Sequence, residues 1–151
     1  MQLARRIALA AMGLIAIAAS ASAPTTTDTA ADEAALRAAD QTFMRPYWTG
    51  DLESVVALYA EDAVLLPANA PAAKGRDAIR KFFKTDMAGL KPGESDMIVE
   101  SAQGVSGNLG WSSGRTKGTT ADGTTSTGKF LSVSRKVDGK WLYMRDTWNS
   151  D

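Results

Sequence analysis

The stretch Gly50–Pro67, GDLESVVALYAEDAVLLP, decides the fold because its pattern changes halfway along. Gly50 stops a preceding helix, and Asp51 can cap a following one by accepting hydrogen bonds from the free N–H groups of its first turn. Leu52–Ala60, with Val55, Val56, Leu58 and Tyr59, reads as a short helix. Glu61 and Asp62 then lead into Ala63-Val64-Leu65-Leu66, an apolar run ended by Pro67, which reads as a strand. As neighbours at a helix end these two acids diverge. Capping and solvation account for them better than a two-carboxylate metal site.

Upstream, Thr29 with Asp32 three residues later has the spacing of a capping box, and Leu36, Ala39, Phe43 and Tyr47 follow at a helical period. Pro46 should loosen the last turn of this helix. Downstream, Asn69–Lys74 reads as a loop, and Gly75 opens a third helix, Arg76 to about Met87, with Ile79, Phe82 and Phe83 toward the core. Lys91-Pro92-Gly93 breaks it. From Ser95 the period becomes that of strands: Met97–Val105, Leu109–Gly118, Thr125–Val137 and Lys140–Asn149. The turns between them fall at Ser106-Gly107-Asn108, Asp122-Gly123 and Asp138-Gly139. The order α-α-β-α-β-β-β-β puts helices first and antiparallel strands last. This argues an α+β domain with helices on one face of a curved sheet.

The chain has 151 residues, 17 basic and 17 acidic side chains, no cysteine and no histidine. Those zeros exclude disulfides, thiol nucleophiles, serine–histidine triads and zinc sites built on Cys or His. Residues 1–23 read as a secretory signal peptide. Arg5 and Arg6 form the basic region, Ile7–Ala19 the apolar core, and Ser20-Ala21-Ser22-Ala23 the small-residue cleavage site. The apolar core is too short to span a bilayer comfortably, so no stable membrane insertion is expected after cleavage. The product is expected in the periplasm or the medium. Residues 24–28 read as a disordered leader and 29–151 as the single domain. Removal of Arg5 and Arg6 leaves a net charge of −2, a poor match for nucleic acid.

Several segments resemble the SnoaL-like and ketosteroid-isomerase-like proteins of the nuclear-transport-factor-like superfamily. Gly50-Asp51-Leu52-Glu53 with Leu58-Tyr59-Ala60-Glu61-Asp62-Ala63-Val64 resembles their "GD…LYADDAV" segment. Lys74-Gly75-Arg76-Asp77-Ala78-Ile79 resembles their "GR.AI" helix start. Gly128-Lys129-Phe130-Leu131, Asp138-Gly139-Lys140-Trp141 and the ending Arg145-Asp146-Thr147-Trp148-Asn149-Ser150-Asp151 resemble the terminal hairpin of a branch of mostly unassigned function. The resemblance implies a cystatin-like, cone-shaped curved antiparallel sheet closed by three N-terminal helices around an apolar pocket. It also implies a homodimer formed through the outer sheet face.

The resemblance does not carry over a mechanism. The isomerase base position falls at Leu66 or Pro67, which cannot take a proton, and the first-helix tyrosine position falls at Phe43. Dehydratase-type members depend on the histidine this chain lacks. Asp146 is the remaining acid. Strict alternation on the last strand would put it on one face with Leu142, Met144 and Trp148. There it would be either a cavity acid with a raised pKa or a satisfied carboxylate paired with Arg115, Lys129 or a helix group. Asp40 reads as a helix-flank aspartate in a salt bridge or facing water, with the cone mouth as the alternative. Parity groups Trp111, Ser113, Arg115 and Lys117, which suits a pocket wall or a wet dimer face equally. The ligand-binding residues assigned are Tyr47 and Tyr59 for their hydroxyls, Arg115 as an anion-binding group, and Leu66, Phe83, Trp111 and Trp148 as apolar lining. No cofactor or metal is expected. Three readings stay open: a module binding a hydrophobic small molecule, a cofactor-independent isomerase, cyclase or hydratase using Asp146, and a protein-interaction domain.

Overall fold

A computed structural model describes residues 26–151; the expected signal peptide, residues 1–23, and the start of the expected leader lie outside the described residues. Helix α1 spans Thr26–Thr49, so it begins ahead of the capping box expected at Thr29, and Pro46 sits within its final turns. Gly50, at φ 77°, reverses the chain, and the Asp51 carboxylate accepts from Ser54 N–H at 3.2 Å to cap α2 (Leu52–Ala57). Strand β1 (Tyr59–Leu65) starts earlier than the apolar run suggested, taking in Tyr59 and Ala60. The expected loop contains a short strand, β2 (Ala73–Lys74), before α3 (Gly75–Met87). Strands β3 (Ser95–Ser106), β4 (Leu109–Thr119), β5 (Thr125–Val137) and β6 (Lys140–Ser150) complete the domain.

The six strands form one sheet in the order β2-β1-β6-β5-β4-β3. It is mixed rather than wholly antiparallel, because β1 runs parallel to β6. The chain leaves β1 through β2 and α3 before it enters the meander β3–β6, and this long crossover lets the last strand lie beside the first in the same direction. The sheet is open. Helix α1 packs across β3, β4 and β6, while α2 and α3 cover β1 and β2.

The core sits under α2 and α3. Val55, Tyr59, Leu65, Ile79 and Phe83 are fully buried there. The Phe83 ring lies 5.8 Å from that of Tyr59 and 6.3 Å from that of Trp148, the latter stacked. On β4 the inward positions are Gly110, Ser112, Gly114, Thr116 and Gly118, alternating with exposed Trp111, Arg115 and Lys117. The glycines are steric requirements. A Cβ on Gly114 would lie 2.1 Å from the Glu100 carbonyl oxygen, and one on Gly110 would lie 2.8 Å from Leu36.

Candidate functional site

Between α1 and the inner faces of β3–β6 lies a cavity of about 230 Å3. Its aromatic wall comes from Phe43, Tyr47 and Trp48 on α1 and from Phe130, Tyr143 and Trp148 on β5 and β6. The register sets a polar row beside it, of which Ser132 and Asp146 line the cavity. Gln103 faces Ser112, Ser112 faces Ser132, and Ser132 faces Asp146, a polar row running across four strands. Asp40 of α1 lines the same cavity and is 2 % exposed.

Asp146 enters the cavity wall through a bulge. Val133 pairs with Arg145 but Ser134 pairs with Tyr143, so Met144 is an extra residue in β6. Beyond the bulge the alternation is reversed. Asp146 therefore shares its face with Tyr143 and Trp148, and not with Leu142 and Met144 as strict alternation implied. Among the described residues no basic group pairs with it. Its Oδ2 accepts from the Tyr59 hydroxyl at 2.6 Å and its Oδ1 from the Ser132 hydroxyl at 2.9 Å. Burial raises its pKa, and these two donors oppose the rise.

Asp40 differs in one respect that matters for chemistry. Its Oδ1 accepts from the Tyr143 hydroxyl at 3.0 Å, but its Oδ2 is buried without a hydrogen-bond partner. Burial raises its pKa, while Ser112, Tyr143, Gln103 and the Arg37 charge pull it back. Ser112 Oγ and Gln103 Nε2 are themselves buried without partners. The expectation of a salt-bridged or water-facing Asp40 is thus corrected. Arg37, the adjacent cation, donates to Gln103 Oε1 at 2.9 Å instead.

The other assigned residues divide. Tyr47 and Trp148 line the cavity. The Tyr47 hydroxyl is committed to Asp86 Oδ2 at 2.6 Å, and burial followed by that bond drives its pKa far up. Tyr59 and Phe83 are fully buried in the core and do not line the cavity, although Tyr59 acts on it through Asp146. Leu66 lies at the end of β1 and is 44 % exposed, outside the cavity; its N–H donates to the Asp146 carbonyl at 2.8 Å. Trp111 and Arg115 point to the outer face by alternation, Trp111 being 43 % exposed. Arg115 instead lies in a shallow outer groove with Glu100 and Leu131. Asp40, Ser132, Tyr143 and the buried end of Trp48 went unassigned. Asp40 had one sequence signal, its place one helical turn before Phe43 and Met44.

Among the described residues, no three acidic side chains converge to hold a metal ion, and no helix is long and apolar enough to cross a membrane.

The chain is similar in fold to an NTF2-like protein of unknown function from Pseudomonas putida, with 18% identity, TM-score 0.75, and 82% of this chain and 89% of that one covered. A protein of unknown function with a cystatin-like fold from Nostoc punctiforme gives 18% identity and TM-score 0.73 over 82% and 93% of the two chains. A ketosteroid isomerase-like protein from Erwinia carotovora atroseptica gives 24% identity and TM-score 0.65 over 79% and 95%. At these identities the likeness shows the fold alone. No curated protein matches the sequence. The family model of the SnoaL-like domain matches residues 41–144, from the middle of α1 into β6, and the chain belongs to the SnoaL-like domain family.

Proposed function

We propose that the protein is exported and binds a small, largely apolar organic molecule in the cavity between α1 and the sheet. One observation carries this reading: an aromatic-walled cavity of about 230 Å3 has in its wall a buried carboxylate, Asp40, of which Oδ1 is bonded to Tyr143 and Oδ2 makes no close hydrogen bond. Such sites combine apolar lining with a few placed polar groups that fix orientation. Export is supported by the tripartite pattern of residues 1–23. Native mass spectrometry of protein purified from its own host tests the binding. The expected result is a bound small-molecule mass released on denaturation, and repeated preparations without one would overturn it. N-terminal sequencing of the same material should begin at Pro24; a chain retaining Met1 would overturn export.

A second reading, proton transfer on the bound molecule, is supported by the same Oδ2. Asp146 has both oxygens engaged, so the acid–base role moves from Asp146 to Asp40. The test is deuterium uptake from solvent at the benzylic α-carbon of a ketone such as 2-tetralone. Wild type should catalyse it and Asp40→Asn should not; equal rates would remove this reading.

Homodimerisation is supported by exposed Met97, Val99, Leu109, Trp111 and Leu131, a set of large apolar side chains left on β3–β5. Light scattering should give a dimer mass that Leu131→Glu lowers. A wild-type monomer at micromolar concentration would refute the dimer.

A further inference from the structure

The cavity carries a charge pattern that an apolar ligand leaves unused. Asp40, Asp96 and Asp146 all lie in its wall. The cation among its lining residues, Lys129, is held 2.7 Å from Asp151 Oδ1. Asp40 is 2 % exposed, and its Oδ2 has no partner. Burial is the largest influence on Asp40 and disfavours its charge; Tyr143, Ser112, the Gln103 amide and Arg37 act against it by favouring the ionised form. In its carboxylate form Asp40 can only accept hydrogen bonds. The rings of Phe43, Trp48, Tyr143 and Trp148 line the same cavity. Aromatic faces attract cations, and desolvation strengthens that attraction. A buried carboxylate in an aromatic-lined cavity whose lining cation, Lys129, is held by Asp151 selects positive charge.

We propose that the ligand of this cavity is an organic amine, bound in its protonated form, with its N–H groups directed to Asp40 Oδ2 and its apolar body against the aromatic wall. The inference rests on the cavity being a small-molecule site and adds the chemical class of that molecule. The small volume suits one aromatic ring with a short chain.

The test compares three probes of one shape and different charge: 2-phenylethylamine, 2-phenylethanol and phenylacetate. Binding to the full, isotopically labelled protein at neutral pH is read from the indole N–H signals of Trp48 and Trp148. The amine should bind about tenfold or more tightly than the alcohol, the gain of a charge-assisted hydrogen bond, and phenylacetate should bind weakest. Asp40→Asn should bring the amine down to the level of the alcohol. An alcohol or carboxylate that binds wild type as tightly as the amine overturns the amine proposal and leaves the cavity as a binding site. If none of the three moves either indole signal, both readings fall. The wild-type series decides the matter even if the variant folds poorly.

Discussion

Replacing Tyr59 by Phe removes a single oxygen from the centre of the domain. Tyr59 is fully buried, and its ring lies 5.3 Å from Tyr143 and 5.8 Å from Phe83, contacts that Phe retains. What is lost is the 2.6 Å bond to Asp146 Oδ2. Tyr59 stays protonated at any ordinary pH, because burial and the neighbouring Asp146 charge push its pKa well above 10. It is therefore a fixed donor to a buried carboxylate, and deleting it should cost about 2–3 kcal/mol while Asp146 is ionised. Once Asp146 is protonated the bond is neutral, and the cost should fall to about 1 kcal/mol. Burial raises the folded-state pKa of Asp146. Its stability contribution is therefore full below the unfolded carboxyl value of about 3.9 and is lost as pH rises toward the folded value. Without Tyr59 that folded value moves higher, so the loss continues to higher pH in the variant. The gap between wild type and Tyr59→Phe must widen with pH. Urea unfolding followed by circular dichroism at about pH 4 and pH 8 would show it. At the higher pH the midpoint should fall by about 1 M, given a slope near 2 kcal/mol/M for a domain of this size. A gap independent of pH, or wider in acid, would refute the assignment of Tyr59 as donor to an ionised Asp146.

Three further outcomes follow from the same structure. Asp40→Asn removes a carboxyl whose pKa burial raises, so the variant's stability relative to wild type should increase as pH rises above about 4; urea midpoints at two pH values check the sign. Phe83→Ala should cost about 3–5 kcal/mol in the same assay, since the side chain is wholly buried and rings of Tyr59, Phe82 and Trp148 surround the void. Gly139→Ala should cost about 1 kcal/mol by thermal unfolding: its φ is 78° beside Asp138 at 49°, with nothing within 4 Å of the added Cβ, so backbone strain alone acts.

Element order was readable because each transition carries its own local chemistry. Gly50 with Asp51, Lys91-Pro92-Gly93 and Asp138-Gly139 each ends one element and starts another whatever lies across the domain. The parallel pairing of β1 with β6 was not readable this way, since no residue in Tyr59–Leu65 specifies which distant strand it meets. Nor was β2, which is two residues long and exists only through its pairing with Val64 and Leu65.

The site was legible to the extent that strand parity holds, and parity failed at one residue. On β4, uninterrupted alternation put Trp111 and Arg115 on one face, and only the fold decided that this face is the outer one. On β6, Met144 bulges out, and every residue beyond it changes sides. The consequence is chemical. With regular pairing, Tyr143 and Asp146 would face opposite sides of the sheet, and the two buried carboxyls would not share a cavity. The bulge puts Tyr143 between them: its hydroxyl donates to Asp40, and its pKa rises through burial, then through the charges of Asp40 and Asp146. Asp146 is thereby held by Tyr59 and Ser132 within the sheet, and Asp40 is left with an oxygen that makes no close hydrogen bond. The residue best placed to meet a ligand is thus on a helix, and a rule written for strands could not find it. Deletion of Met144 makes the pairing regular, with Tyr143 opposite Ser134, Arg145 opposite Val133 and Asp146 still opposite Ser132, so Asp146 should stay in the cavity wall on the face of Tyr143. If that deletion folded and residue 146 no longer titrated as a buried carboxyl, Met144 would not be the extra residue of β6.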